Sequence, residues 1–196
     1  MKSELRPALL MLLWLTLLTG VAYPLAVTGI ARVAFPRQAG GSMIVRDGQV
    51  VGSRLIGQPF DDPRFFWGRL SATAPFPYNA GLSRGSNYGP RHPALREAVA
   101  ARVAALRDAD PEATLPVPVD LVTSSASGLD PHVSRAAAAY QVRRVARTRG
   151  MTEAAVRTLV AQHTSGRAFG LLGEPVVNVL ELNLALERVD AGRSAP

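Results

Sequence analysis

The chain contains no cysteine and one lysine, Lys2. Without cysteine there is no disulfide framework, no thiolate nucleophile and no cysteine-based zinc cluster. Aromatic residues make up only 6% of its 196 residues. The arginines that carry almost all of the +7 formal charge are scattered along the chain. A basic groove interleaved with stacking aromatics is therefore missing, and no nucleic-acid partner is expected. His92, His132 and His163 are the only histidines, and their spacing is not that of a metal site, so no metal is expected. No internal repeat is present.

What is present begins with apolar surface, 47% of the residues, enough for one compact domain with a short appendage. The appendage is at the N-terminus. Pro7 to Ala31 carries no charge and is rich in leucine. A bilayer core of about 30 Å needs roughly 20 such residues at 1.5 Å each, so the run is long enough to span, with tilt or a kink at Pro24 taking up the surplus. A cleaved signal peptide is the competing reading, with Gly20-Val21-Ala22 as the small-x-small site. The apolar run continues past that site through Leu25, Val27 and Ile30, which favours a retained anchor. Lys2 and Arg6 on one side balance Arg32, Arg37 and Arg46 on the other, so the positive-inside count leaves the orientation open. Thr16, Thr19, Gly20 and Tyr23 share a side at helical spacing. Small residues of this kind let a second membrane helix approach closely. A lone anchor with incidental polar residues accounts for the pattern equally well.

Beyond the anchor, residues 34–41 read as a loop. Met43–Arg46 and Gln49–Leu55 flank Asp47-Gly48, a hairpin signal because both turn residues tolerate positive φ. Residues 57–93 are rich in proline, glycine and aromatics and follow no helical or strand period; their aromatics argue against disorder. Pro93–Arg107 reads as a helix with Leu95, Val99, Val103 and Leu106 on one face. Leu115–Thr123 reads as an edge strand. Asp130-Pro131 reads as the cap and first turn of a helix ending near Arg149-Gly150. Thr152 caps a further helix closing near Gly166. Asn178 to Glu181 has capping-box spacing, while the alternation of Leu180, Leu182, Leu184 and Leu186 suits a strand. Asp61-Asp62 and Asp108/Asp110 read as solvated loop acids. The class is α+β, helix-rich.

The candidate functional residues lie in TSSASGLDPHVS, residues 123–134. Ser125, Ser127, Gly128 and Asp130 precede a predicted helix start, where free backbone N–H groups and the helix dipole favour an anion. The G-x-S-x-G of a hydrolase elbow and the lysine of a P-loop are both absent from this stretch. Serines and an aspartate satisfying turn and cap hydrogen bonds explain the same residues structurally, and that reading is preferred. The alternative of another class is a membrane-anchored extracytoplasmic enzyme using Ser125 or Ser127, Asp130 and His132.

The chain resembles the C-subunit family of Kdp-type potassium-transporting P-type ATPases. The resemblance is carried by LTGVAYP at 18–24, VGSRLIGQPF at 51–60, PRFFWGR at 63–69 and YNAGLSRGSNYGP at 78–90. It continues through PVPVDLVTSSASGLDPHVS at 116–134, YQVRRVARTRG at 140–150 and GLLGEPVVNVLELNLAL at 170–186. Arg84, Tyr88 and Ser124–Ala126 depart from the family's usual residues. The resemblance implies a non-catalytic accessory subunit with no tightly bound cofactor, ATP and potassium being handled by the whole complex. It implies a cytoplasmic N-terminus at 1–6, a transmembrane helix at 7–33, an extracytoplasmic α+β domain at 34–190 and a flexible end at 191–196, in the cell inner membrane. The implied partners are the bilayer, a potassium-channel-like subunit and a P-type subunit that hydrolyses ATP. A chaperone-like effect on that subunit's ATP affinity also belongs to the family, with the 123–134 turn as a candidate nucleotide loop.

Overall fold

The computed structural model describes residues 2–194 and divides into two compact units, one ending at Val51 and the other beginning at Gly52. The first unit opens with α1 (Lys2–Leu17), a π-helical turn (Leu18–Ala22) and α2 (Tyr23–Ala34). Pro24 accounts for the π turn. Proline has no N–H to return to the carbonyl one turn earlier, and its ring crowds that carbonyl. The helix widens by one residue just before it, and Tyr23 N–H bonds to Leu18 O, five residues back. The helix nonetheless runs unbroken, with Ser3–Ala34 long and apolar enough to cross a bilayer, and none of its apolar window is buried. The helical segment thus extends a few residues beyond the 7–33 expected.

After a short α3 (Pro36–Ala39) come β1 (Met43–Arg46) and β2 (Gln49–Ser53), paired in a two-stranded sheet. Asp47 and Gly48 turn the hairpin with φ of 52° and 77°, the left-handed pair that their sequence signals.

The second unit packs α4 (Pro93–Ala109), a single turn α5 (Val119–Val122), α6 (Arg135–Arg149), α7 (Glu153–Gln162) and α8 (Val179–Ser194) with a small antiparallel sheet. The sheet comprises β3 (His132–Ser134), β4 (Thr164–Ser165) and β5 (Val176–Asn178) in the order β3-β5-β4, Val133 facing Val177 and Thr164 facing Val177 from the other side. Val133, Ala137, Val142, Val145, Val156, Val177, Leu182 and Leu186 form one core with Leu106, Leu121, Phe66 and Trp67. Side chains close the helix starts. His92 Nδ1 accepts from Ala94 N, Ser134 Oγ from Ala137 N, Thr152 Oγ1 from Ala155 N and Asn178 Oδ1 from Glu181 N. Gly150, at φ 59°, ends α6 in a left-handed cap.

Several expectations are revised. Leu115–Thr123 is not a strand. Pro116 and Pro118 deprive it of ladder donors, and Val119–Val122 folds into one helical turn whose Asp120 accepts from Ser134 N at 2.7 Å. Asp130 does not cap α6. Sheet pairing of His132–Ser134 with β5, reinforced by Val179 N donating to Pro131 O, delays the helix to Arg135, and Ser134 caps it. Asp110 is not solvated; it is 3% exposed and held by Arg143 and Arg147 at 2.9 and 3.1 Å. The leucines at 180–186 belong to a helix, α8. Residues 191–194 continue that helix where the sequence suggested a tail, and the rest of the expected tail, 195–196, lies outside the described residues, as does Met1.

Candidate functional site

The segment between β2 and α4 has almost no regular structure, yet it enters the core. Its backbone polar groups must find partners there, since a buried unpaired amide costs about as much as a lost hydrogen bond. The helices supply them with side-chain amides. Asn183 of α8 accepts from Phe66 N at 2.9 Å and donates to Phe66 O at 3.0 Å. Gln141 of α6 accepts from Trp67 N at 2.8 Å and donates to Trp67 O at 3.1 Å. Each amide thus satisfies one residue of the loop as a neighbouring strand would.

Arg144, only 2% exposed, completes this strap. Its guanidinium donates to Pro63 O, to Phe65 O at 3.0 Å and to Gln141 Oε1 at 2.7 Å, and lies 4.5 Å from the Trp67 ring centre. Arg102 lies over the same ring at 5.0 Å. Burial pushes the Arg144 guanidinium down to about 10, still far above neutral pH, so the buried group stays charged.

The strap leads to Arg69, which reaches the serine-rich turn. Arg69 Nη1 donates to Asp130 Oδ2 at 3.1 Å and Nη2 to Ser124 O at 3.2 Å. Its Nε is buried without a hydrogen-bond partner. Burial pushes the Asp130 carboxyl up, but hydrogen bonds from His132 and Arg69 outweigh it and hold the group below its ordinary value. Tyr78, whose hydroxyl donates to Arg69 O, is pushed up by burial to about 12. Ser71 Oγ donates to Gly128 O at 2.7 Å and accepts from Tyr78 N at 2.9 Å.

The turn is braced by its own side chains. Ser125 Oγ accepts from Gly128 N at 2.8 Å, Ser127 Oγ from Leu129 N at 3.1 Å, and Asp130 Oδ1 from His132 N at 3.0 Å. Two of its carbonyls accept from the preceding loop: Arg84 N and Ser83 Oγ donate to Ser127 O, and Gly57 N to Leu129 O. Two glycines let the strands of loop lie back to back. A Cβ on Gly85 would stand 2.7 Å from Ala126 O, and one on Gly128 (φ 69°) 2.6 Å from Arg84 O.

The structure therefore brings Ser125, Ser127, Gly128 and Asp130 together and spends them on the fold. The N–H groups of Gly128, Leu129 and His132 are occupied by the chain's own oxygens, and β3 separates the turn from the start of α6. The hydroxyls of Ser125 and Ser127 each serve a backbone N–H, and the Nδ1 of His132 lies 3.5 Å from Asp130 Oδ1. A shallow depression of about 580 Å³ remains, lined by Arg69, Ser125, Ser127, Asp130 and their neighbours. The enzyme reading finds no support in this geometry. Among the described residues no group of three or more histidines or carboxylates is placed to hold a metal ion.

The second candidate group is on the membrane helix. Thr19 Oγ1 donates back to Leu15 O at 2.7 Å, and Tyr23, 65% exposed, closes the π turn with its N–H. Gly20 is open: an added Cβ would meet only Thr16 Cγ2, at 3.9 Å. Thr16 and Gly20 therefore adjoin on one surface.

Residues missed from sequence alone are Arg69, Arg102, Gln141, Arg144 and Asn183. For the four on helices the signal available was an amide or arginine among the apolar positions of a helix face; Arg69, in the irregular segment, offered none.

Comparison with known proteins covers nearly the whole chain. The family profile described as KdpC, K+-transporting ATPase, c chain, matches residues 5–188. Similar proteins include a potassium-transporting ATPase KdpC subunit of Sorangium cellulosum, 67% identical over 187 residues, which cover 95% of this chain and 98% of that one. The KdpC subunit of Methylococcus capsulatus is 64% identical with the same coverage. That of Dechloromonas aromatica is 61% identical over 96% of this chain and 99% of its own.

Proposed function

The chain belongs to the KdpC family, accessory subunits of the K+-transporting ATPase, and we propose that it serves as the single-pass subunit that assembles and stabilises the pump. The N-terminus is cytoplasmic, the helix crosses the inner membrane, and the second unit is extracytoplasmic, above the potassium entrance of a channel-like subunit. ATP is hydrolysed in a P-type partner subunit. The observation that carries this reading is the membrane helix, an apolar span of which nothing is buried within the chain, joined to a folded unit whose candidate residues Ser125 and Ser127 are committed to its own hydrogen bonds. A raised ATP affinity in the hydrolysing subunit is, on this topology, a coupling free energy transmitted through the assembly and not a contact of the 123–134 turn with nucleotide.

In the membrane the Thr16/Gly20 surface, with Thr19 and Tyr23 beside it, packs against a helix of a partner subunit. Close packing through small residues replaces in lipid the hydrophobic drive available in water. Gly20→Leu is the test. The chain itself has room for the side chain, and the segment remains apolar, so insertion survives while subunit co-purification in mild detergent falls. Leu17→Ile serves as control on another face and leaves co-purification intact. Full assembly of Gly20→Leu contradicts the helix-packing reading.

A further inference from the structure

One apolar surface of the second unit is neither in its core nor in the membrane helix. Between β4 and β5 the chain forms a tight hairpin loop, closed by Ala168 N donating to Leu172 O at 2.8 Å and Leu172 N to Ala168 O at 2.9 Å. At its tip Phe169, Leu171 and Leu172 are 93%, 79% and 65% exposed. The tip is built, not loose. Phe169 and Gly170 adopt φ of 53° and 73°, a left-handed pair that ordinarily selects asparagine, aspartate or glycine. A phenylalanine there bears backbone strain to present its ring to the outside. At the base Arg167 Nη2 grips both carboxylate oxygens of Glu174 at 2.8 and 2.9 Å.

We infer that the Phe169–Leu172 tip is a docking knob that seats in an uncharged apolar pocket on an extramembrane surface of another subunit of the same pump. The inference rests on the accessory-subunit reading above. Three features select this occupant. The hairpin carries no lysine, and its one arginine is paired with Glu174, so it has no free basic group to hold its apolar tip at an anionic lipid surface. Tip-to-tip association of two copies would bury only three side chains from each, far below the roughly 1,200 Å² of a stable interface. A heterologous partner needs no such area, because the membrane helix already confines this chain beside it and the second contact forms at high effective concentration.

The test uses the whole pump in membranes. Since the chain lacks cysteine, Phe169→Cys gives this chain a single position for a benzophenone maleimide, attached to the purified chain before it is assembled into the pump. Photolysis is expected to yield a covalent adduct with another pump subunit. An adduct with lipid alone, with a second copy of this chain, or with nothing overturns the proposal. In parallel, Phe169→Asn keeps the left-handed turn and removes the ring. The concentration of solubilised complex at which half of this chain has dissociated is expected to rise roughly tenfold, as for a buried aromatic anchor. Unchanged dissociation overturns the proposal. If Phe169→Asn melts below the parent, Leu171→Ser with Leu172→Ser, which leaves the turn residues alone, gives the deciding dissociation curve. The parent chain separates the two readings. If it is retained with its partners and the variants are too, only the knob is wrong; if it is not retained, the accessory-subunit reading fails and the knob with it.

Discussion

Two irregular segments of this protein have nearly the same ingredients and opposite fates. Residues 63–67 and residues 167–172 each hold an arginine, phenylalanine and further large apolar side chains. In the first, Phe66 and Trp67 are 0% and 5% exposed; in the second, Phe169 is 93% exposed. Apolar content does not explain the difference. The first segment can enter the core because Gln141, Arg144 and Asn183 wait there to pair its backbone, whereas the second satisfies its own backbone in a hairpin and keeps its side chains for something else. An irregular chain becomes core when its peptide groups have partners inside it.

Substitutions sharpen this contrast, and each can be read by melting the detergent-purified chain. Trp67→Ala removes the ring that the guanidinium groups of Arg102 and Arg144 both contact, the largest apolar piece of the strap, and is expected to cost about 3–5 kcal/mol. A cost below 1 kcal/mol would mean that the strap is not part of the core. Gln141→Met keeps the volume but leaves Trp67 N and O unpaired, an expected loss of about 1–3 kcal/mol. Asn183→Leu does the same at Phe66. If these changes prove neutral, the amides are not what holds the segment.

Asp130→Ala comes next, at about 1–2 kcal/mol, through lost bonds to Arg69 and His132 N. Because the folded carboxyl titrates below its ordinary value, the native state binds fewer protons than the unfolded chain in that window. Its stabilisation is present above about pH 4 and is lost as pH falls through the folded pKa. Asp130→Asn removes that part of the acid sensitivity, whereas an unchanged acid limb contradicts the assignment. The smallest effect is at the hairpin tip. Phe169→Asn is expected not to destabilise the chain and to raise its stability by about 1 kcal/mol at most, through relief of the left-handed strain. A large loss would show that the ring packs within the chain after all.

The parts legible in the sequence were those decided by neighbours. Asp47-Gly48, Thr152, Asn178 and Gly150 each fix a turn or a helix end through a bond to a residue a few positions away. The N-terminal helix long and apolar enough to cross a bilayer was legible because composition and length decide it. Elsewhere a local signal lost to a distant one. Asp130-Pro131 has the chemistry of a helix start, but pairing of Val133 with Val177 claimed the next residues for a sheet. The strap was illegible because its partners Gln141 and Asn183 lie 74 and 117 positions away. The serine turn read correctly as a group of hydrogen-bonding residues. That three of its carbonyls are also bonded depends on Arg84, Ser71 and Gly57 crossing it from the loop to donate to Ser127 O, Gly128 O and Leu129 O.

The central claim is that this chain is a retained, membrane-anchored accessory subunit, and the most direct test is native mass spectrometry of the pump extracted in mild detergent. The expected result is a complex containing this chain with its N-terminal helix intact, together with a channel-like subunit and an ATP-hydrolysing subunit. Recovery of a chain beginning at Tyr23, free of those partners, would contradict the account.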